Sequence, residues 1–124
     1  MSWQNYVDEQ LIGSNQIEMG AIIGLDGGVW ACSPINFLRP GEGQKLANLF
    51  RSPQNVFNSG ITVDGVTYSG TKADGRSIYG RQGGDCFACA KTGQCIVIGI
   101  YKQQGGNPAL HVEKLVDYLL ENGF

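Results

Sequence analysis

The chain has 124 residues, 42% of them hydrophobic and only 16% charged, a balance that excludes intrinsic disorder and predicts one domain spanning residues 1–124 around one core. Nine Lys and Arg against eleven Asp and Glu leave a net charge of −2, which argues against a dedicated nucleic-acid binder. Nineteen glycines fall singly or in pairs between apolar runs, so they read as turns rather than as low complexity.

Ser2 predicts an N-cap for a first helix carrying Trp3, Tyr6, Val7 and Leu11, which Gly13 stops. The run 17–25 alternates as a strand, with Ile17, Met19, Ala21, Ile23 and Leu25 on one side. Gly20, Ile22 and Gly24 take the other side, where missing side chains let a helix approach closely. Asp26-Gly27-Gly28 signals a hairpin into a second strand, 29–33, that carries Trp30. A short helix is predicted over 43–50, with Leu46, Leu49 and Phe50 on one face, and a shorter helical piece after Pro53. Asp64-Gly65 joins strands 61–63 and 66–68, and further glycine turns separate strands 77–81, 86–91 and 95–101. In the last strand Ile96, Ile98 and Ile100 form one apolar face, while Cys95, Val97, Gly99 and Tyr101 form another, so it is predicted to be central and covered on both sides. Asn107 as N-cap and Pro108 at the first position open a final helix that runs to about Asn122. The fold class is α+β: a central antiparallel sheet of about six strands, N- and C-terminal helices on one face and shorter helices on the other.

Helical periodicity assigns Val112, Leu115, Val116, Leu119 and Leu120 to the buried stripe of the last helix and leaves Tyr118 on its shoulder, alongside His111 and Asn122. In the first helix Trp3 and Tyr6 fall on one flank as neighbours, so packing the end helices together over Gly20 and Gly24 brings Trp3, Tyr6 and Tyr118 near Trp30. Half-buried aromatics with polar tips suit a polyproline II ligand, whose carbonyls accept from indole and phenol donors. Spacing alone modestly favours the plainer reading, in which both tryptophans are core residues. The charges are uneven as well: residues 1–38 hold no Lys or Arg, whereas residues 72–102 carry a net +3 that suits an acidic partner.

Ser2-Trp3-Gln4-Asn5-Tyr6-Val7-Asp8 resembles the N-terminal signature of profilin, the small actin-monomer-binding family. Gly24-Leu25-Asp26-Gly27 with Trp30-Ala31, Arg76-Ser77-Ile78-Tyr79-Gly80-Arg81, Lys91-Thr92-Gly93, Gly99-Ile100-Tyr101 and the final Val112 to Phe124 stretch follow in the same order, in the short form of the family. That resemblance implies a non-enzymatic regulator of actin polymerisation that docks proline-rich proteins such as formins. Its polyproline residues would be Trp3, Tyr6, Trp30 and Tyr118, with Leu119 and Phe124 as edges. Its actin face would use Arg76, Tyr79, Arg81, Lys91, Lys102, Gln104, Asn107, His111 and Lys114, although Tyr79 stands where many relatives carry arginine. Phosphoinositide headgroups would meet Lys72, Arg76, Arg81, Lys91 and Lys102. No cofactor or metal is implied, and the expected setting is a monomer in the cytoplasm, at the cytoskeleton. Met1-Ser2-Trp3-Gln4 lacks a basic start and an apolar signal segment, in keeping with that expectation.

Cys86-Phe87-Ala88-Cys89 invites a thiol or metal reading, but in a strand positions i and i+3 face opposite sides, roughly 10 Å apart and beyond disulfide reach. His111 is the only histidine and has no matched nucleophile. The alternative function is a small-ligand sensor with Trp3, Trp30 and Tyr118 lining an enclosed pocket; an open groove would favour the binder.

Overall fold

A computed structural model describes residues 2–35, 37–102 and 107–124. Seven antiparallel strands form one sheet in the order β2-β1-β7-β6-β5-β4-β3, where about six were expected. They are β1 (Met19–Gly24), β2 (Val29–Ser33), β3 (Ile61–Val63), β4 (Val66–Ala73), β5 (Ser77–Gln82), β6 (Asp85–Lys91) and β7 (Cys95–Tyr101). β4 runs well past Tyr68 because a bulge between Gly70 and Lys72 lets it stay paired with β5. The tight turn between β3 and β4 places Asp64 at φ 54° and Gly65 at φ 74°, the left-handed pair whose twist matches the strands it joins.

Two buried clusters sandwich the sheet. On one face Ile96, Ile98 and Ile100 of β7 pack with Met19, Ala21 and Ile23 of β1 against Leu46 and Ala47 of α2 (Glu42–Leu49) and Val56 of α3 (Val56–Ser59). On the other, Cys95 and Val97 of β7 meet Val7 and Leu11 of the N-terminal helix and Val112, Leu115, Val116 and Leu119 of α4 (Pro108–Glu121). β7 is thus covered on both sides, as its double apolar pattern requires, and each fully buried isoleucine contributes about 1.5–3 kcal/mol of transfer free energy. Ile17 departs from its expected side: β1 begins only at Met19, and Ile17 packs in the α4 cluster above Gly99. Leu25 lies beyond the strand and is exposed.

The N-terminal helix starts as an α-turn, α1 (Trp3–Asn5), then widens into a π-helix over Tyr6–Leu11 and tightens into a 3-10 turn over Ile12–Ser14. Gly20 accommodates it, since a Cβ there would stand 3.1 Å from the Leu11 side chain. α2 begins at Glu42 rather than at residue 43, for a reason the sequence did not reveal. The Glu42 carboxylate is buried and accepts backbone N–H bonds from Arg39 (2.9 Å), Asp64 (2.7 Å) and Gly65 (2.9 Å), pinning the approach to α2 onto the β3–β4 turn.

Candidate functional site

The ends of the chain build an open row of rings. Ser2 caps the first turn, its hydroxyl accepting from the Asn5 N–H at 3.2 Å. Gln4 then ties that helix to β2, donating to the Cys32 carbonyl at 3.2 Å. Trp3 is thereby held over Trp30, centroids 4.9 Å apart, and beside Tyr6 at 5.7 Å. Gly24 leaves space for the Trp30 indole, because a Cβ at that position would lie 3.0 Å from its Nε1. Tyr6 continues the row to Tyr118 of α4, 5.9 Å away. The neighbouring Tyr118 hydroxyl, and secondarily burial, raise the Tyr6 phenol above its ordinary pKa, so its tip remains a protonated donor at neutral pH.

Phe124 joins the row through the way α4 ends. Gly123 adopts φ 91°, the Phe124 N–H reaches the Leu119 carbonyl at 2.9 Å and the Gly123 N–H reaches the Leu120 carbonyl at 3.2 Å. This Schellman turn folds the last residue back so that its ring stands edge-on to Trp3 at 5.0 Å. Leu119 itself must be corrected: its side chain is fully buried in the core, so it cannot form an edge of the groove, and its contribution is the carbonyl that positions Phe124. Trp30 is 41% and Tyr118 46% exposed, while Trp3, Tyr6 and Phe124 are half-buried. The rings therefore lie open at the surface, the arrangement of a binder rather than of a sealed sensor pocket.

The residues expected on the actin face do not form one patch. Tyr79, Arg81 and Asn107 line a hollow of about 130 Å³ beside the start of α4, with Thr71 and Ala88 among its other walls. Asn107 caps α4 without a side-chain hydrogen bond, while Pro108 takes the first helical position as expected. Lys72 rests 5.0 Å over the Tyr79 ring, with Asp74 3.9 Å from its ammonium. Lys102 is exposed just beyond β7, and Gln104 lies outside the described residues.

Arg76 is not a free cation. Its guanidinium bonds Asp117 at 2.7 Å and Glu113 at 3.2 Å, and the Asp117 bond leads the effects that push its pKa up. Glu113 also accepts from the Ser77 hydroxyl at 2.6 Å and from the Tyr79 hydroxyl, clamping α4 to β5. Burial first, and then Glu113, hold the Tyr79 phenol far above its usual pKa. Lys91 requires a second correction. In the β5–β6 register Ser77, Tyr79 and Arg81 stand opposite Ala90, Ala88 and Cys86, so alternation puts Lys91 on the other face of the sheet, with Phe87 and Cys89. His111 and Lys114 also part from Arg81: they lie on the opposite flank of α4, in a cleft shared with Tyr6 and Tyr118. Of the five basic residues expected for phosphoinositides, Lys91 thus stands on the face opposite Arg81, and Arg76 is engaged by Glu113 and Asp117.

The four cysteines are buried and none forms a disulfide. Burial drives the Cys89 thiol well above its ordinary pKa, the reverse of what a reactive thiolate needs. No group of metal-binding side chains occurs among the described residues, and no helix among them is long and apolar enough to cross a membrane.

A two-faced antiparallel sheet, end helices packed side by side and a ring row running across both termini define a small α+β binding module. Comparison with known proteins gives it a family. The family model described as Profilin matches residues 1–124. Profilin-P of Physarum polycephalum is 58% identical over 126 residues, covering 100% of both chains. The crystal structure of Acanthamoeba castellanii profilin II superposes with a TM-score of 0.92 at 42% identity, over 99% of this chain and 100% of that one. Mouse profilin IIa, solved in complex with a double repeat from the FH1 domain of mDia1, shares the fold at a TM-score of 0.77 and 21% identity, with 100% of both chains covered. The chain belongs to the profilin family, whose members are actin-binding regulators and not enzymes.

Proposed function

We propose that this chain holds an actin monomer on one surface and a polyproline II segment on another, and so regulates filament growth by raising the effective concentration of one partner near the other. The observation that carries the reading is the open, unbroken succession Trp30–Trp3–Tyr6–Tyr118, with Phe124 beside Trp3. A polyproline II helix has no internal hydrogen bonds, so its carbonyls accept from indole N–H and phenol O–H groups while its rings seat between aromatic faces. Its stiffness limits the entropy lost on binding. The complex of mouse profilin IIa with an FH1 repeat is in keeping with such a ligand class.

For actin, the surface with most support is the hollow of Tyr79, Arg81 and Asn107, with Lys72 over the Tyr79 ring and exposed Lys102 on the following segment. Arg81 has no ion-pair partner among the described residues and is the natural contact for an acidic partner. Phosphoinositide binding is the weaker reading, since membrane attraction needs several clustered basic charges. The test is retention on proline-rich resin in the presence of monomeric actin. Co-elution of both proteins supports the two-surface function, whereas failure to bind the resin, or retention that leaves actin in the flow-through, refutes it.

A further inference from the structure

The ring row does not end at Tyr118 but opens into a cleft of about 240 Å³ lined by Tyr6, Gln10, His111, Lys114, Leu115 and Tyr118. Two of its walls are rings of the row, so a peptide lying along the aromatics enters it without leaving the surface. Each of its polar groups can donate: the Gln10 amide, the His111 imidazole and the Lys114 ammonium, the last with no acceptor of its own. No carboxylate lines it among the described residues, and none of their ion pairs engages Lys114. Asp8, on the N-terminal helix, takes a hydrogen bond from Gln4 and lies outside the lining. Of the acidic groups of α4, Glu113 and Asp117 are bound to Arg76 on the helix's other flank, and Glu121, in the last turn, lies outside the lining.

A proline segment offers these donors only its backbone carbonyls, and its rings neither accept a hydrogen bond nor carry a negative charge. A carboxylate does both, and the cleft is several times the roughly 30 Å³ that one water occupies, which leaves room for an acidic side chain and its hydration. We propose that this cleft reads a glutamate or aspartate flanking a proline-rich segment, so that the chain selects proline stretches with an acidic neighbour. The proposal rests on the polyproline reading of the ring row. Lys114 is exposed, so the attraction is that of a surface pair, about threefold in affinity, and it sets selectivity rather than anchoring the ligand.

The experiment titrates the protein's tryptophan fluorescence with capped peptides: a plain proline decamer, and decamers carrying two glutamates or two glutamines at either end. Capping removes the terminal charges that would otherwise mimic the acid. The glutamate peptide with the favoured end should bind about threefold tighter than its glutamine counterpart, and added salt should shrink the difference. Lys114→Met should abolish the preference and Lys114→Arg should keep it, with unchanged melting temperatures confirming that both variants fold. Equal affinity for glutamate and glutamine at both ends, or an undiminished preference in Lys114→Met, overturns the proposal while leaving the polyproline reading intact. Failure of the plain decamer to bind overturns the polyproline reading, and this proposal with it.

Discussion

Replacing Trp3 with alanine removes the ring on which the row converges, with Trp30, Phe124 and Tyr6 at 4.9, 5.0 and 5.7 Å. Each aromatic pair contributes about 0.5–1.5 kcal/mol beyond its buried area, and a half-buried indole loses less than a core one, so the cost to stability is about 2 kcal/mol. The cost to ligand binding has a separate origin, the loss of a central stacking face and an N–H donor. A central tryptophan of this kind is worth about 2 kcal/mol at an interface, roughly 30-fold in Kd. Tyr118→Ala is the comparison: it touches one ring at 5.9 Å and is 46% exposed, so it should cost less than about 1 kcal/mol of stability and roughly fivefold in affinity. Fluorescence titration with a proline decamer reads both variants, since Trp30 survives in each as the reporter. A Trp3→Ala protein that melts cooperatively and binds the decamer within about twofold of wild type refutes the assignment of the row.

Arg81→Glu should weaken actin-monomer sequestration roughly fivefold while decamer affinity holds; simultaneous loss of both activities in a folded variant would refute separate surfaces. Lys114 is unsuitable for that experiment because it adjoins Tyr6 and Tyr118. Glu42→Ala deprives three backbone N–H groups of their acceptor and should cost about 3 kcal/mol in urea unfolding, against a negligible change if the carboxylate were merely solvated. Alkaline pH should destabilise the fold. Burial, with Asp85 and Asp64, pushes the Tyr68 phenol up to about 12 from 10.0, and burial raises the Cys89 thiol. Both stay protonated in the folded chain and ionise sooner in the unfolded one, so their stabilisation is complete below the ordinary pKa values and is lost as pH climbs towards about 12. Urea midpoints should therefore fall between about pH 8 and pH 11, less steeply in Tyr68→Phe, and a flat profile would contradict the burial assigned to these groups.

What local pattern could reveal, it revealed well. The double face of β7 and most of the α4 stripe followed from periods of 2.0 and 3.6, except that Leu120, expected inside, is 44% exposed; the stripe already placed Leu119 inside, and the family resemblance moved it wrongly to the groove edge. Lys91 is a similar case, because alternation along β6 separates it from the faces of Ala88 and Ala90. Other features depend on contacts distant in sequence. Arg76 meets acidic partners 37 and 41 residues later, which turns an apparent free cation into a clamp. Glu42 serves a turn more than twenty residues away, so no local signal marks it as buried. The π-turn at Tyr6–Leu11 is equally hidden, since Val7 and Leu11 suit an ordinary helix as well as a widened one.

Isotope-edited NMR of the aromatic rings during titration with a proline decamer asks most directly whether the two ends of the chain form one ligand surface. Ring signals of Trp3, Tyr6, Trp30, Tyr118 and Phe124 should shift together along a single saturation curve, while the buried pair Tyr68 and Phe87 stays unmoved. Shifts that leave Trp3 and Tyr118 untouched, or that follow different curves for the two, would contradict a shared surface.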